Sequence, residues 1–156
     1  MRTGVRKIRG ERLGGRGRDL GDVDVVAADP NLHRLWLIEC KAVSAARTPW
    51  EIGNEFREFV GPAGHLARHA RRVEWIRRRV PELLSDLNMV GAGWTVAGLV
   101  VTDVPIPTAY RMATTDIPIV PIVESHRLHE VLSEEECMLD RREDGSEGWR
   151  PIEERK

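Results

Sequence analysis

The chain has 156 residues, 41% of them hydrophobic and 31% charged, with a formal net charge of −1. That size and balance suit one globular domain with a core of its own and exclude a disordered or collagen-like chain. Two cysteines far apart, Cys40 and Cys137, argue against a disulfide framework or a zinc ribbon and fit a reducing compartment. No stretch is apolar for long enough to cross a bilayer, and MRTGVRKIRGERLGGRGRDLG lacks the apolar region of a signal peptide. A soluble, cytoplasmic protein without membrane contact is the expectation.

The near-neutral total conceals an uneven distribution. Residues 1 to 18 carry Arg2, Arg6, Lys7, Arg9, Arg12, Arg16 and Arg18 against the single acid Glu11. In chain order, VRKIRG (5 to 10) alternates weakly and reads as an edge strand. The Gly-Gly-Arg-Gly run at 14 to 17 is a flexible turn. VDVVAAD (23 to 29) and RLWLIECK (34 to 41) read as strands, and the Asp29-Pro30-Asn31 signal between them predicts a hairpin.

In TPWEIGNEFREFV, Thr48, Pro49 and Glu51 form a capping-box start, and Ile52, Phe56, Phe59 and Val60 share one helical face. Gly61-Pro62 ends that helix. A second helix is predicted from about His65 to Val80, with Leu66, Ala70, Val73, Ile76 and Val80 as its apolar stripe and Pro81 breaking or restarting it. Its stretch ARHARRVEWIRRR holds six arginines against Glu74, either a solvated face or a nucleic-acid surface.

WTVAGLVVT (94 to 102) reads as a buried central strand. IPIVPIV (117 to 123) holds two prolines and belongs at a sheet edge. SHRLHEVLSEE predicts a closing helix, followed by a loose acidic tail. The expected architecture is α/β, a mixed β-sheet flanked by helices. The main domain covers residues 1–132 and the tail 133–156.

One juxtaposition carries chemistry. Alternation puts Glu39 and Lys41 on one face of their strand and Cys40 on the other, toward the core. A hairpin symmetric about Asn31 and Leu32 sets Asp24 opposite Glu39, with Cβ atoms about 4.5–5.5 Å apart, and two like charges placed so are destabilising. A divalent cation between them removes that penalty, and Mg²⁺, with its preference for hard oxygen ligands, suits the site. The same register sets Asp22 opposite Lys41, where an ordinary exposed ion pair is the plainer account.

GDVDVVAADPNLHRLWLIECK resembles the core of the PD-(D/E)XK, or restriction-endonuclease-like, nuclease superfamily: an acid on one strand, then a hairpin, then E-x-K on the next. The resemblance implies a restriction-endonuclease-like core and a metal-dependent (endo)nuclease, with DNA as the expected substrate. Asp24 and Glu39 would be the metal ligands and Lys41 the residue that orients or activates the attacking water. The main-chain carbonyl of Cys40 would complete the protein ligands to Mg²⁺, with Mn²⁺ as a substitute. Two features depart from the pattern. The acid lies in Gly-Asp-Val-Asp rather than after proline, so Asp22 rivals Asp24, and the family's first core helix has no apparent counterpart. Arg68, Arg71, Arg72 and Arg79 are the candidate phosphate contacts, and homodimerisation is left open.

Other readings are weaker. His65 and His69 have the i, i+4 spacing of a helical metal pair but lack the remaining ligands, so a satisfied or exposed pair is expected, as for His126 and His129. Glu51, Glu55 and Glu58 are read as a solvated helix face. Trp50, Trp75 and Trp94 are read as packing rather than base-stacking. A D-x-D nucleotide-sugar transferase and an inactive nuclease-like domain that only binds nucleic acid or protein are the rival functions.

Overall fold

The computed structural model describes residues 1–15, 19–111 and 116–122. In chain order the strands and helices are β1 (Arg2–Val5), β2 (Lys7–Ile8), β3 (Glu11–Arg12), β4 (Val23–Asp29), β5 (Arg34–Lys41), α1 (Pro49–Val60), α2 (His65–Arg77), α3 (Val80–Asp86), β6 (Thr95–Thr102), α4 (Pro107–Arg111) and β7 (Ile119–Pro121). A five-stranded mixed sheet has the order β1-β4-β5-β6-β7, and β2 and β3 form a separate small ladder. β4 runs antiparallel to β1 and β5, whereas β6 runs parallel to both β5 and β7. The general α/β class and the mixed sheet match expectation.

The β4–β5 hairpin closes as its turn chemistry predicts. Asp29 Oδ1 accepts the backbone N–H groups of Asn31 (2.9 Å) and Leu32 (3.2 Å), an Asx-type turn. Pairing then runs from Asp29–Arg34 to Val25–Ile38, the register centred on Asn31 and Leu32. A parallel neighbour for β5 requires a long crossover, which α1, α2 and α3 provide. α1 starts with the full capping box: Glu51 N–H donates to Thr48 Oγ1 (3.3 Å) and Thr48 N–H to Glu51 Oε2 (2.9 Å).

The principal core lies between the sheet and these helices. Val26, Leu35, Leu37, Val96 and Val100 pack with Phe59, Val73, Ile76, Leu83 and Leu84. Gly98 sits where α2 crosses β6, and a Cβ there would lie 2.9 Å from Val73 Cγ2, so glycine is what allows this close approach. On the other face, Trp36, Leu99 and Val120 form a smaller cluster.

Several expectations change. Residues 5 to 10 are not one strand: Val5 ends β1, and Arg9 (φ 49°) and Gly10 (φ 81°) turn the chain from β2 into β3. The second helix stops at Arg77, and Pro81 sits in the first turn of α3, where the missing N–H costs little. Ala70 is exposed, and the inner stripe of α2 uses His69 instead. The short helix α4 has no counterpart in the sequence reading. Among the described residues no helix is long and apolar enough to cross a membrane. The closing helix, the acidic tail, the 132/133 boundary, His126 and His129 lie outside the described residues.

Candidate active site

The ends of β4 and β5 bring the acidic residues together. Asp24 has the parity of Val26, which faces the helices, and Glu39 has the parity of Leu35 and Leu37, which face them too. The pair after Val25–Ile38 in this register is Asp24 and Glu39, so both carboxylates belong to the helix-facing side. The Cys40 N–H donates to Asp24 Oδ2 at 2.7 Å, which pins the Asp24 carboxylate against the end of β5, one residue from Glu39.

Glu39 is 5% exposed. A carboxylate this buried needs partners, and it has one for each oxygen. Lys41 Nζ lies 2.7 Å from Oε1, and Arg72 Nη1 donates to Oε2 at 2.5 Å. Arg72 is itself buried, and its Nε donates to the Leu20 carbonyl at 2.6 Å. The loop before β4 closes over this guanidinium. Gly21 has φ +76°, and a Cβ on it would lie 3.2 Å from Arg72 Nη2.

His69, one turn before Arg72 on α2, is fully buried, and its Nε2 lies 2.9 Å from the Leu37 carbonyl oxygen. A carbonyl can only accept, so Nε2 carries the hydrogen and Nδ1 is left as a buried acceptor without a partner. Burial holds the imidazole pKa below its ordinary value, outweighing the upward pull of the Leu37 carbonyl and the Glu39 charge. The Cys40 thiol is shifted upward, first by desolvation and then by the charges of Asp24 and Glu39.

The remaining candidates are dispersed. Asp22 pairs with Arg6 (3.3 Å) rather than with Lys41, in a shallow cleft it shares with Lys7, Arg12 and Asp19. Cys40 is exposed and does not enter the core: it lies on the face of the small Trp36, Leu99 and Val120 cluster but is not one of its members. Of the four candidate arginines, Arg72 turns inward to Glu39. Arg79 stacks on Trp75 (4.0 Å) and reaches Glu11 (3.4 Å). Arg68 is exposed and bonds His65 Nδ1 (2.9 Å), and Arg71 is half-buried.

His65 bonds Glu58 (3.1 Å) while His69 bonds Leu37, so the two rings do not form a metal pair. Glu51 caps α1. Glu55, read as solvated, is instead buried and accepts both the N–H (3.0 Å) and the hydroxyl (2.6 Å) of Thr108 at α4. Trp50 is 74% exposed rather than packed, whereas Trp94 stacks on His33. The sequence reading missed Arg72 as a partner of Glu39, and Glu55 and His69 as buried polar groups. A signal existed for two of them: positions 69, 72, 73 and 76 follow the helical period of the apolar stripe.

Among the described residues no three His, Cys, Asp or Glu side chains cluster as a metal cage. A cation here would rest on Asp24, Glu39, the Cys40 carbonyl and water. Two carboxylates with hard oxygen donors and retained waters are what Mg²⁺ accepts, and an ion there would have to displace a cationic side chain already paired with Glu39. The donor set therefore fits the ion. No family model, curated protein or solved structure matches the chain.

Proposed function

We propose that the chain is a metal-dependent nuclease domain that hydrolyses phosphodiester bonds of nucleic acid, DNA in preference, on a restriction-endonuclease-like core. The observation that carries this reading is the convergence of Asp24, Glu39 and Lys41 at the adjoining ends of β4 and β5. The strand pattern supports it: an antiparallel β1-β4-β5 meander, then a helical crossover into parallel β6.

Asp24 and Glu39, with the Cys40 carbonyl, are the residues that would hold Mg²⁺ or Mn²⁺. Bound there, the metal would polarise the phosphodiester and stabilise the charge developing in its transition state. Lys41, with a side chain 26% exposed, stands at the solvent side of Glu39, where its ammonium can hold an attacking water or a phosphate oxygen. Arg68 offers a sequence-independent phosphate contact.

One observation favours a second reading. Both oxygens of Glu39 are paired with cationic side chains, as in a nuclease-like domain that binds nucleic acid without cutting it. Cleavage assays with Mg²⁺ on plasmid, linear, branched and single-stranded DNA, and on RNA, separate the two. The nuclease reading expects cutting by the native chain and loss of at least about a hundredfold in Asp24→Ala and Lys41→Ala. No cutting of any substrate, or cutting by both variants at the rate of the native chain, refutes it.

A further inference from the structure

Glu39 is held by two cations of different character. Arg72 is buried, fixed by a second bond to the Leu20 carbonyl, and hemmed in by Gly21. Lys41 is more exposed, and the one described partner of its side chain is Glu39. Withdrawing Arg72 would strand a buried guanidinium and leave the Leu20 carbonyl without its donor, whereas Lys41 needs only to swing toward solvent.

We propose that the site works by exchange: a divalent cation takes Glu39 Oε1 from Lys41, while Arg72 keeps Oε2 as the permanent counter-ion and positions the carboxylate. Asp24 is already set for this, because it commits Oδ2 to the Cys40 amide while Oδ1 has no hydrogen-bond partner among the described residues. Exchange also gives Lys41 its second position. The ammonium that neutralises Glu39 without metal is released beside the metal once the ion binds, so cation loading and lysine placement become one event. Arg72 is in this scheme a positioning residue that touches neither substrate nor metal. The inference rests on the metal reading above and adds to it a fixed order of displacement.

The test is a Mg²⁺ titration of the full chain followed by lysine-ammonium and arginine Nε–H NMR, with affinities from calorimetry. Exchange predicts that the Lys41 ammonium signal shifts and loses its protection from solvent as Mg²⁺ binds, while the Arg72 Nε–H signal persists. It also predicts that Lys41→Met, which removes the competitor, binds Mg²⁺ about fivefold more tightly, and that Asp24→Asn abolishes binding. An Asp24-dependent affinity with the Lys41 signal unmoved, with the Arg72 signal lost instead, or with Lys41→Met no tighter than the native chain, overturns exchange and leaves the metal reading standing. No Mg²⁺ response in either the native chain or Asp24→Asn overturns both.

Discussion

Replacing Arg72 with Met tests whether the Arg72–Glu39 pair holds the sheet and α2 together. The change removes a bond to Glu39 Oε2 and a bond to the Leu20 carbonyl, both among groups under a tenth exposed on the arginine and glutamate side. Breaking one partner of a buried ion pair costs roughly 3–5 kcal/mol, because the other charge stays buried without compensation. Lys41 still faces Oε1, which places the expected loss at the lower end, about 3 kcal/mol. The companion variant is Arg72→Met with Glu39→Met, in which no buried charge is left and Lys41 turns to solvent. Its remaining loss should be near that of an unsatisfied carbonyl, about 1 kcal/mol, so the two changes together destabilise less than the first alone. Urea unfolding followed by circular dichroism measures all three chains, with unchanged m-values as the check on two-state behaviour. A loss below about 1 kcal/mol for Arg72→Met, or a double variant no more stable than Arg72→Met alone, refutes this account of the pair.

Three further outcomes are expected. His69 has a folded pKa below its ordinary 6.5, so between those values the unfolded chain binds a proton that the folded chain refuses. Stability is then complete above pH 6.5 and falls as pH drops below it, by at most about 1.4 kcal/mol per pH unit for this one group. His69→Gln keeps a donor for the Leu37 carbonyl and should flatten that slope in urea titrations between pH 5 and 8; an unchanged slope would show that other groups produce it. Gly98→Ala should cost about 1–3 kcal/mol by forcing Val73 and Ile117 apart, read as a lowered thermal midpoint. Thr48→Ala removes the N-cap acceptor of α1 and should cost about 1 kcal/mol, with faster amide exchange confined to the first turn.

Much of the architecture could be read from local chemistry. The Asp29 turn sets the hairpin register, the Thr48–Glu51 box starts α1, and Pro121 suits β7 to the edge it holds among the described strands, because each depends on a few neighbouring residues. Helix boundaries were less legible. The break at Arg78 and Arg79 precedes Pro81 and follows from how α3 must turn to lay Leu83 and Leu84 on the core. The polarity of individual positions was the least legible. A glutamate at position 55 looks solvated by type, and it is buried because α4 brings Thr108 against it.

The sequence by itself determined that Asp24, Glu39 and Lys41 would arrive at one end of a hairpin, since strand alternation and a four-residue turn leave little freedom in where they fall. What only the tertiary structure decided was the company Glu39 keeps. Arg72 lies 33 residues further along the chain, on a helix rich in arginine, and its type alone suggested a surface contact with phosphate. Packing α2 across β5 and β6 rotates that one arginine onto the buried carboxylate. A charge enclosed in a core is stable only beside its opposite, and the chain had to fold before that opposite was within reach.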